Sequence, residues 1–405
     1  MPACCSDRVR ALRQGGWPVE GFVLEIPEMV GLPLSPARTA QAASRAWPDG
    51  TIIVSADSHM LETDCWVDRF PEHLKHRAPR MEFRDGGYHL TVAGEEVGKR
   101  PGREFDAAAL CTALECSPGL TSVEARLADL DVEGVAKELI FPQRLFSLFI
   151  LGKLMDRAET FSAYNEHIAE MCAMGRGRLY PVMVPNYWDP GEAPASVARC
   201  RELGAHALMI PIRPGNDVNG EPIYYNDPKM DPLWEAVAES GIPLCFHIGE
   251  NFLTSSPGAA GSAVLVQMQG FRQIWGPLTF GGVFDRFPKL KVVFVEGGIS
   301  WVASMLHDAD MIYNSFPTVM NPKLAHAPSW YWFNHCYATF MTDPAGLELL
   351  HRIGVDRVMW SSDYPHQEST FGYTRSAIQA VFDATSVGNA QKILGKTAIE
   401  VFSLR

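Results

Sequence analysis

The chain has 405 residues, 47% of them hydrophobic, with a formal net charge of −12 and nine cysteines. That length and apolar content allow one large core or two ordinary ones, and an acidic balance without a strong basic block argues against nucleic-acid or anionic-membrane partners. No apolar stretch approaches the roughly 18–20 residues that cross a bilayer, the N-terminus lacks the regions of a signal peptide, and the cysteines are dispersed without a CxxC pair, so a cytoplasmic protein with reduced thiols is expected.

Residues 1–50 hold Gly15-Gly16, several prolines and an Ala/Ser/Arg stretch at 37–46. With little sustained periodicity, they read as an N-terminal extension or arm. A strand–helix alternation runs from 51 to 405. Strands are expected at 51–56, 138–142, 179–184, 206–212, 242–247, 291–296, 336–341 and 357–362. Amphipathic helical segments lie between them at 122–130, 158–174, 194–203, 232–240, 299–313 and 346–353. Short apolar strands alternating with helices predict a parallel sheet covered on both faces. Eight such units match an α/β (β/α)8 barrel, a TIM barrel, with an insertion after strand one at about 60–120. Within the insertion, Met81–Val92 reads as a hairpin around Asp85-Gly86-Gly87. The stretch 251–282 is a second candidate wall or interface.

Imidazoles and carboxylates gather at three expected strand ends. Asp57-Ser58-His59 follows Ile52-Ile53-Val54, His247 ends a run that includes Leu244-Cys245-Phe246, and Asp363 follows Met359-Trp360-Ser361-Ser362. A closed barrel brings its strand ends to one mouth, whereas an open doubly wound sheet concentrates ligands at one switch point. Asp57, His59, His247 and Asp363 therefore make a candidate site for one divalent cation. Imidazole suits zinc and related metals, and carboxylate suits manganese or magnesium. Any one of these residues alone reads more simply as a hydrogen-bonded core group, and it is their joint placement at strand ends that points to a ligand set. No G-x-G-x-x-G, P-loop or nucleophile-elbow sequence is present; Ser361 and Ser362 are read as structural.

Asp57-Ser58-His59 with Glu62, Phe246-His247, Glu296-Gly297-Gly298-Ile299-Ser300-Trp301 and Trp360-Ser361-Ser362-Asp363-Tyr364-Pro365-His366 resemble the amidohydrolase-related family of the metal-dependent amidohydrolase superfamily. That family includes γ-resorcylate and aminocarboxymuconate-semialdehyde decarboxylases. Asn165-Glu166 and Ile393-Leu394-Gly395 are also similar, and the resemblance covers about 51–405. It implies that Asp57, His59, His247 and Asp363 hold the metal, zinc or manganese. Asp57 replaces the first histidine of the superfamily's HxH. Glu296 stands where many relatives carry a histidine. Strand four ends Ile210-Pro211-Ile212-Arg213 without the bridging lysine of two-metal relatives, which favours one metal.

The implied activity is non-oxidative decarboxylation of an aromatic or conjugated carboxylic acid. Asp363 would deliver a proton, Arg213 or Arg144 would anchor a carboxylate or phenolate, and Glu296 and His366 would assist or brace. Glu296 reads equally as a cap on the following helix, and His366 as a rim residue. Trp66, Phe252, Trp275 and Trp301 are candidates for the cavity wall or, more simply, for the core. Hydrolysis of an amide, ester or lactone by metal-bound water is the alternative; a coordination sphere closed by protein groups would instead mark a binding protein. A small-molecule substrate and a homo-oligomer are the expected partners.

Overall fold

The β-branched run Ile52-Ile53-Val54 leads directly into the first strand of the barrel. The structure is a computed structural model and describes residues 46–62, 65–84, 87–100, 117–149, 156–250, 271–366 and 368–405, with a few isolated positions between 257 and 266. Its contacts divide the chain into Met1–Leu34 and Ser35–Arg405, and the description concerns the second unit. Up to residue 45, the expected extension lies outside the described residues.

In chain order the strands are β1 (Val54–Met60), β2 (Arg80–Arg84), β3 (Gly87–Val92), β4 (Glu95–Arg100), β5 (Lys137–Pro142), β6 (Leu179–Met183), β7 (Ala207–Met209), β8 (Leu244–His247), β9 (Val292–Val295), β10 (Cys336–Phe340) and β11 (Val358–Trp360). β1 and β5 to β11 form one eight-stranded sheet in that sequential order, every pairing parallel. Helices such as Arg157–Ala173, Asp231–Ser240 and Ser300–Ser315 alternate with these strands. The result is a (β/α)8 barrel. β2, β3 and β4 make a separate antiparallel sheet between β1 and β5. The expected hairpin is its first half. The third strand, Glu95–Arg100, follows a tight turn at Ala93-Gly94, where both residues have positive φ.

β1 runs further than the sequence suggests. Asp57 and His59 were expected beyond a strand at 51–56, yet both lie inside β1. Closure of the barrel supplies the reason. Asp363 N donates to Asp57 O at 2.9 Å and His59 N to Tyr364 O at 2.8 Å, and these partners keep the backbone extended to Met60. A bulge between Ser55 and Ser58 shifts the register against β5 at the same place, the kind of irregularity that re-aims a side chain.

One buried guanidinium holds this seam. Arg126 donates from Nε to Gly119 O at 3.0 Å, from Nη1 to Tyr364 O at 3.3 Å, and from Nη2 to His59 O. Nη1 also stands 3.5 Å from Glu138 Oε2, both side chains being buried, and the guanidinium lies over the Tyr364 ring at 4.2 Å. Beneath it, Ser362 Oγ contacts Ser55 Oγ at 2.9 Å and Ser58 Oγ at 3.1 Å. Ser58 Oγ donates to Glu138 Oε1 at 2.9 Å. Burial pushes the Glu138 carboxyl upward, and the Arg126 charge opposes that shift. Removing one partner of a buried pair leaves the other uncompensated, at a cost of about 3–5 kcal/mol. We expect Arg126→Leu to lose that much in urea unfolding while Arg178→Leu, a partly exposed arginine on the same wall, loses less than half as much; equal losses would dismiss the seam as the point of closure.

Candidate active site

The eighth barrel strand and the sixth each end in a carboxylate held in left-handed backbone. Asp363 has φ 57° and Glu296 φ 73°, a conformation that costs L-residues energy and is uncommon outside special sites. Each turn swings its side chain across the mouth. Asp343 fixes the Glu296 loop: its Oδ2 accepts from Ile299 N and Ser300 N, both at 2.7 Å, and its Oδ1 from Gly346 N at 2.8 Å. The helix Ser300–Ser315 is therefore capped by Asp343, and the cap role that the sequence left open for Glu296 is already filled.

Asp57, His59, His247 and Asp363 all converge, fully buried. His59 Nδ1 faces Pro142 O at 2.7 Å. A carbonyl only accepts, so Nδ1 carries the hydrogen and Nε2 presents its lone pair to the centre. That Nε2 lies 3.2 Å from Asp363 Oδ1 and 3.5 Å from Asp57 Oδ1. His247 is oriented in the same manner, its Nδ1 against Ile248 O and its Nε2 3.2 Å from Asp57 Oδ1. Glu296 and His366 complete the ring: Glu296 Oε2 is 3.4 Å from His247 Nδ1, and His366 Nδ1 is 3.0 Å from Asp363 Oδ1. The His366 and His59 rings stack at 4.2 Å.

The environment shifts His59, Glu296, Asp363 and His366 in opposite directions. Burial holds His59 below its usual value, with His366 adding to the effect. Burial drives Glu296 well above the carboxylate range, and Asp363 and Asp57 push it further. Burial alone would raise Asp363, but the charges and hydrogen bonds of His366 and His59 outweigh it and hold the carboxyl low. For His366 burial works downward and Asp363 more than reverses it, to about 9.

The donor set fits a divalent cation. Asp57 Oδ2, His59 Nε2 and Asp363 Oδ1 are buried without a hydrogen-bond partner, and such atoms are costly unless something satisfies them. One donor atom each from Asp57, His59, His247 and Glu296 lie within 4.8 Å of one another, as do those of His59, Glu296, Asp363 and His366.

Several residues the sequence reading did not single out, or noted only for their motif, build the walls. Gln143 Oε1 sits 3.0 Å from His366 Nε2. Phe141 and Phe146 pack on His247 at 4.9 and 4.8 Å. Gly249 has φ 128°, and a Cβ there would come within 3.2 Å of the Phe146 ring. Glu62 accepts from the backbone N–H groups of Gln143, Arg144 and Leu145, and Glu250 from those of Ile212 and Arg213. Position at a strand end was the one sequence signal available for Gln143; Glu62 carried only its place in the motif, and Glu250 carried none. Asn165, noted from its motif, holds both the N–H and the carbonyl of Val184 at 2.8 Å. The structure places Arg213 on the exposed surface and Arg144 half-buried. Trp66, Trp275 and Trp301 belong to the core, His307 is exposed, and Phe252 lies outside the described residues.

A family model described as amidohydrolase matches residues 126–404. The chain belongs to the amidohydrolase family. Among curated relatives, decarboxylase orsB of Emericella nidulans is 25% identical over 279 residues, covering 64% of this chain and 80% of that protein. The γ-resorcylate decarboxylase of Rhodococcus jostii is 26% identical over 265 residues, covering 59% and 75%. Among solved structures, an amidohydrolase from Mycobacterium avium subsp. paratuberculosis superposes with a TM-score of 0.71 at 20% identity, covering 88% of this chain and 100% of that one. The 5-carboxyvanillate decarboxylase of Novosphingobium aromaticivorans, solved with manganese, gives 0.64 at 16% identity, covering 90% and 99%. At these identities the two structures establish the shared fold.

Burial lifts Glu250 to about 7 from 4.5, against the two backbone N–H groups it accepts. A folded-state value above the unfolded one means that stability falls as pH rises from about 4.5 to about 7. In metal-stripped protein, Glu250→Gln should flatten that fall by a few kcal/mol at most, one unit being worth about 1.4 kcal/mol. Urea midpoints at about pH 5 and about pH 7.5 read the difference; an unchanged slope would assign the pH dependence to other groups.

Proposed function

We propose that the chain is a metal-dependent, non-oxidative decarboxylase of an aromatic or conjugated carboxylic acid, using one divalent cation, manganese or zinc. The meeting of four buried side chains, with His59 Nε2 3.2 Å from Asp363 Oδ1 and His247 Nε2 3.2 Å from Asp57 Oδ1 and with Asp57 Oδ2 left buried without a hydrogen-bond partner, carries this reading. The names of the relatives, decarboxylases of γ-resorcylate and of 2-amino-3-carboxymuconate-6-semialdehyde among them, support the reaction class. In this proposal Asp57, His59, His247 and Asp363 hold the cation. When bound, a cation of this kind supplies positive charge to the substrate's carboxylate and a neighbouring oxygen.

The chain's own groups do the rest. The proton held by the His366 imidazole passes to Asp363, which delivers it to the carbon that bears the carboxylate. The bond from that carbon to the carboxyl carbon then breaks, its electron pair returns to the conjugated system, and carbon dioxide leaves. His366, 3.0 Å from Asp363 Oδ1, passes the replacement proton from the solvent side. Gln143 keeps its ring in place from the opposite nitrogen. Phe141 and Phe146 present apolar surface beside His247, which suits a planar ring. Arg213, exposed on the loop clamped by Glu250, is the proposed anchor for a second anionic group, with Arg144 as the alternative.

We further place the enzyme in the cytoplasm as a homo-oligomer without nucleic-acid or membrane partners. Cys172, Cys200, Cys245 and Cys336 are buried free thiols, as a reducing compartment maintains them. Among the described residues no helix is long and apolar enough to cross a membrane. Met311, Phe316 and Val319 expose apolar surface at one end of the helix Ser300–Ser315, which supports self-association.

Incubating the manganese- or zinc-loaded protein with a panel of hydroxybenzoates, beside esters, amides and lactones, tests the reaction class. Carbon dioxide release from a hydroxybenzoate is the expected result, and turnover confined to the hydrolytic substrates would replace the decarboxylase with a hydrolase. Asp363→Asn should lower kcat by at least about 100-fold, the scale of lost acid–base catalysis, with unfolding midpoints near those of the parent. Chelation should abolish turnover, and one equivalent of Mn2+ should restore it.

A further inference from the structure

Among the described residues, Glu296 is a buried carboxyl whose place in the structure neither the barrel closure nor the helix cap explains. Its carboxyl is buried at 5% exposure, in left-handed backbone at φ 73°. It shares the cavity with the carboxylates of Asp57 and Asp363. Among the described residues its oxygens receive no hydrogen bond; their nearest polar neighbours are His247 Nδ1 at 3.4 Å and His366 Nδ1 at 3.9 Å. The helix cap it was a candidate for is supplied by Asp343. Neither a brace nor a cap accounts for a strained, buried, unbonded carboxyl.

We infer that Glu296 is itself a ligand of the divalent cation, joining Asp57, His59 and His247 on one side of the centre while Asp363 faces His366 on the other. The inference rests on the cation site proposed above and not on the reaction assigned to it. Three observations carry it. Glu296 is one of only two residues, with His59, that belong to both four-residue donor sets found among the described residues. The first of those sets contains Glu296 and lacks Asp363, so four donor atoms, one from each residue, lie within 4.8 Å of one another without the eighth-strand carboxylate. Three buried carboxylates in one cavity, Asp57, Glu296 and Asp363, also make a strongly unfavourable charge collection unless a cation neutralises them.

The consequence is chemical selectivity. With Glu296 included, oxygen donors outnumber imidazoles by three to two. Carboxylate-rich sites favour manganese and magnesium over zinc relative to nitrogen-rich ones. An imidazole at this position would tilt the balance back. The residue that distinguishes this chain's sixth strand end therefore selects the metal.

The test needs no substrate. Metal-stripped wild type, Glu296→Gln and Glu296→His are titrated with MnCl2 and with ZnCl2 by calorimetry, with circular dichroism checking the fold of each. Loss of a ligand should weaken Mn2+ binding by about 100-fold in Glu296→Gln, at the top of the range seen for perturbing groups around a metal. Glu296→His should recover Zn2+ more fully than Mn2+. Mn2+ affinity within about twofold of wild type in a folded Glu296→Gln protein would overturn the assignment while leaving the cation site standing. Failure of wild type to bind either ion would overturn the site and this inference together. Should the variants not fold, a wild-type crystal loaded with Mn2+ decides: a Glu296 oxygen at about 2.0–2.3 Å from the anomalous peak upholds the inference, and one beyond about 3 Å sinks it.

Discussion

The joining of the first barrel strand to the last is the constraint on which the site depends. β1 and β11 meet through a short bridge at Ser58 and Tyr364 rather than a long ladder, so side chains must finish what the backbone starts. Arg126 does so by donating to carbonyls on both sides of the seam, at His59 and Tyr364. The residues so joined are neighbours of the chemistry. Asp57 and His59 stand on one side, Asp363 on the other, and a backbone hydrogen bond runs directly between Asp363 and Asp57. A seam that opened by even a fraction of a hydrogen-bond length would separate the ligands by the same amount. The energetic strength of the closure and the geometric precision of the cation site are one property.

A second device recurs around the mouth. Glu62, Glu250 and Asp343 are buried carboxylates that accept hydrogen bonds from successive backbone N–H groups on neighbouring loops. Each fixes the loop after one strand to the loop after another. Loops are the mobile part of a barrel and also the part that carries function, so a site built on them needs such clamps. The clamps also explain how Asp363 and Glu296 remain in left-handed backbone. A strained residue persists only where its surroundings over-determine it, and here the Asp343 clamp and the Arg126 seam provide that surrounding structure.

The electrostatic design follows from burial. Six ionisable side chains face one another, and all but the partly exposed His366 are buried. The shifts of Asp363 and Glu296 run in opposite directions because Asp363 has cationic neighbours and Glu296 faces carboxylates. Asp363 and His366 form a mutually stabilising pair. Glu296, facing other carboxylates, has no such support. The contrast between two carboxylates a few ångströms apart is a matter of neighbours, since the chemical group is the same.

Much of this was legible in the sequence. The period of short apolar strands and amphipathic helices determined the barrel, because a strand buried on both faces must be apolar and a helix packed on it must be apolar on one side. The placement of Asp57, His59, His247 and Asp363 near strand ends determined the candidate ligands, because a closed barrel gathers its strand ends. Local pattern carried no information about contacts between distant segments. Arg126 reads as one more charge on an amphipathic helix, Glu250 as a loop acid and Gln143 as a loop amide, and the motif that names Glu62 does not say which loop it clamps. The true extent of β1 depended on a partner 300 residues downstream. Whether Glu296 capped a helix or faced the cavity depended on Asp343, which took the cap. Tertiary structure alone decided these, because a hydrogen bond or a buried charge is defined by what lies across the space between chain segments, and sequence order does not record that distance.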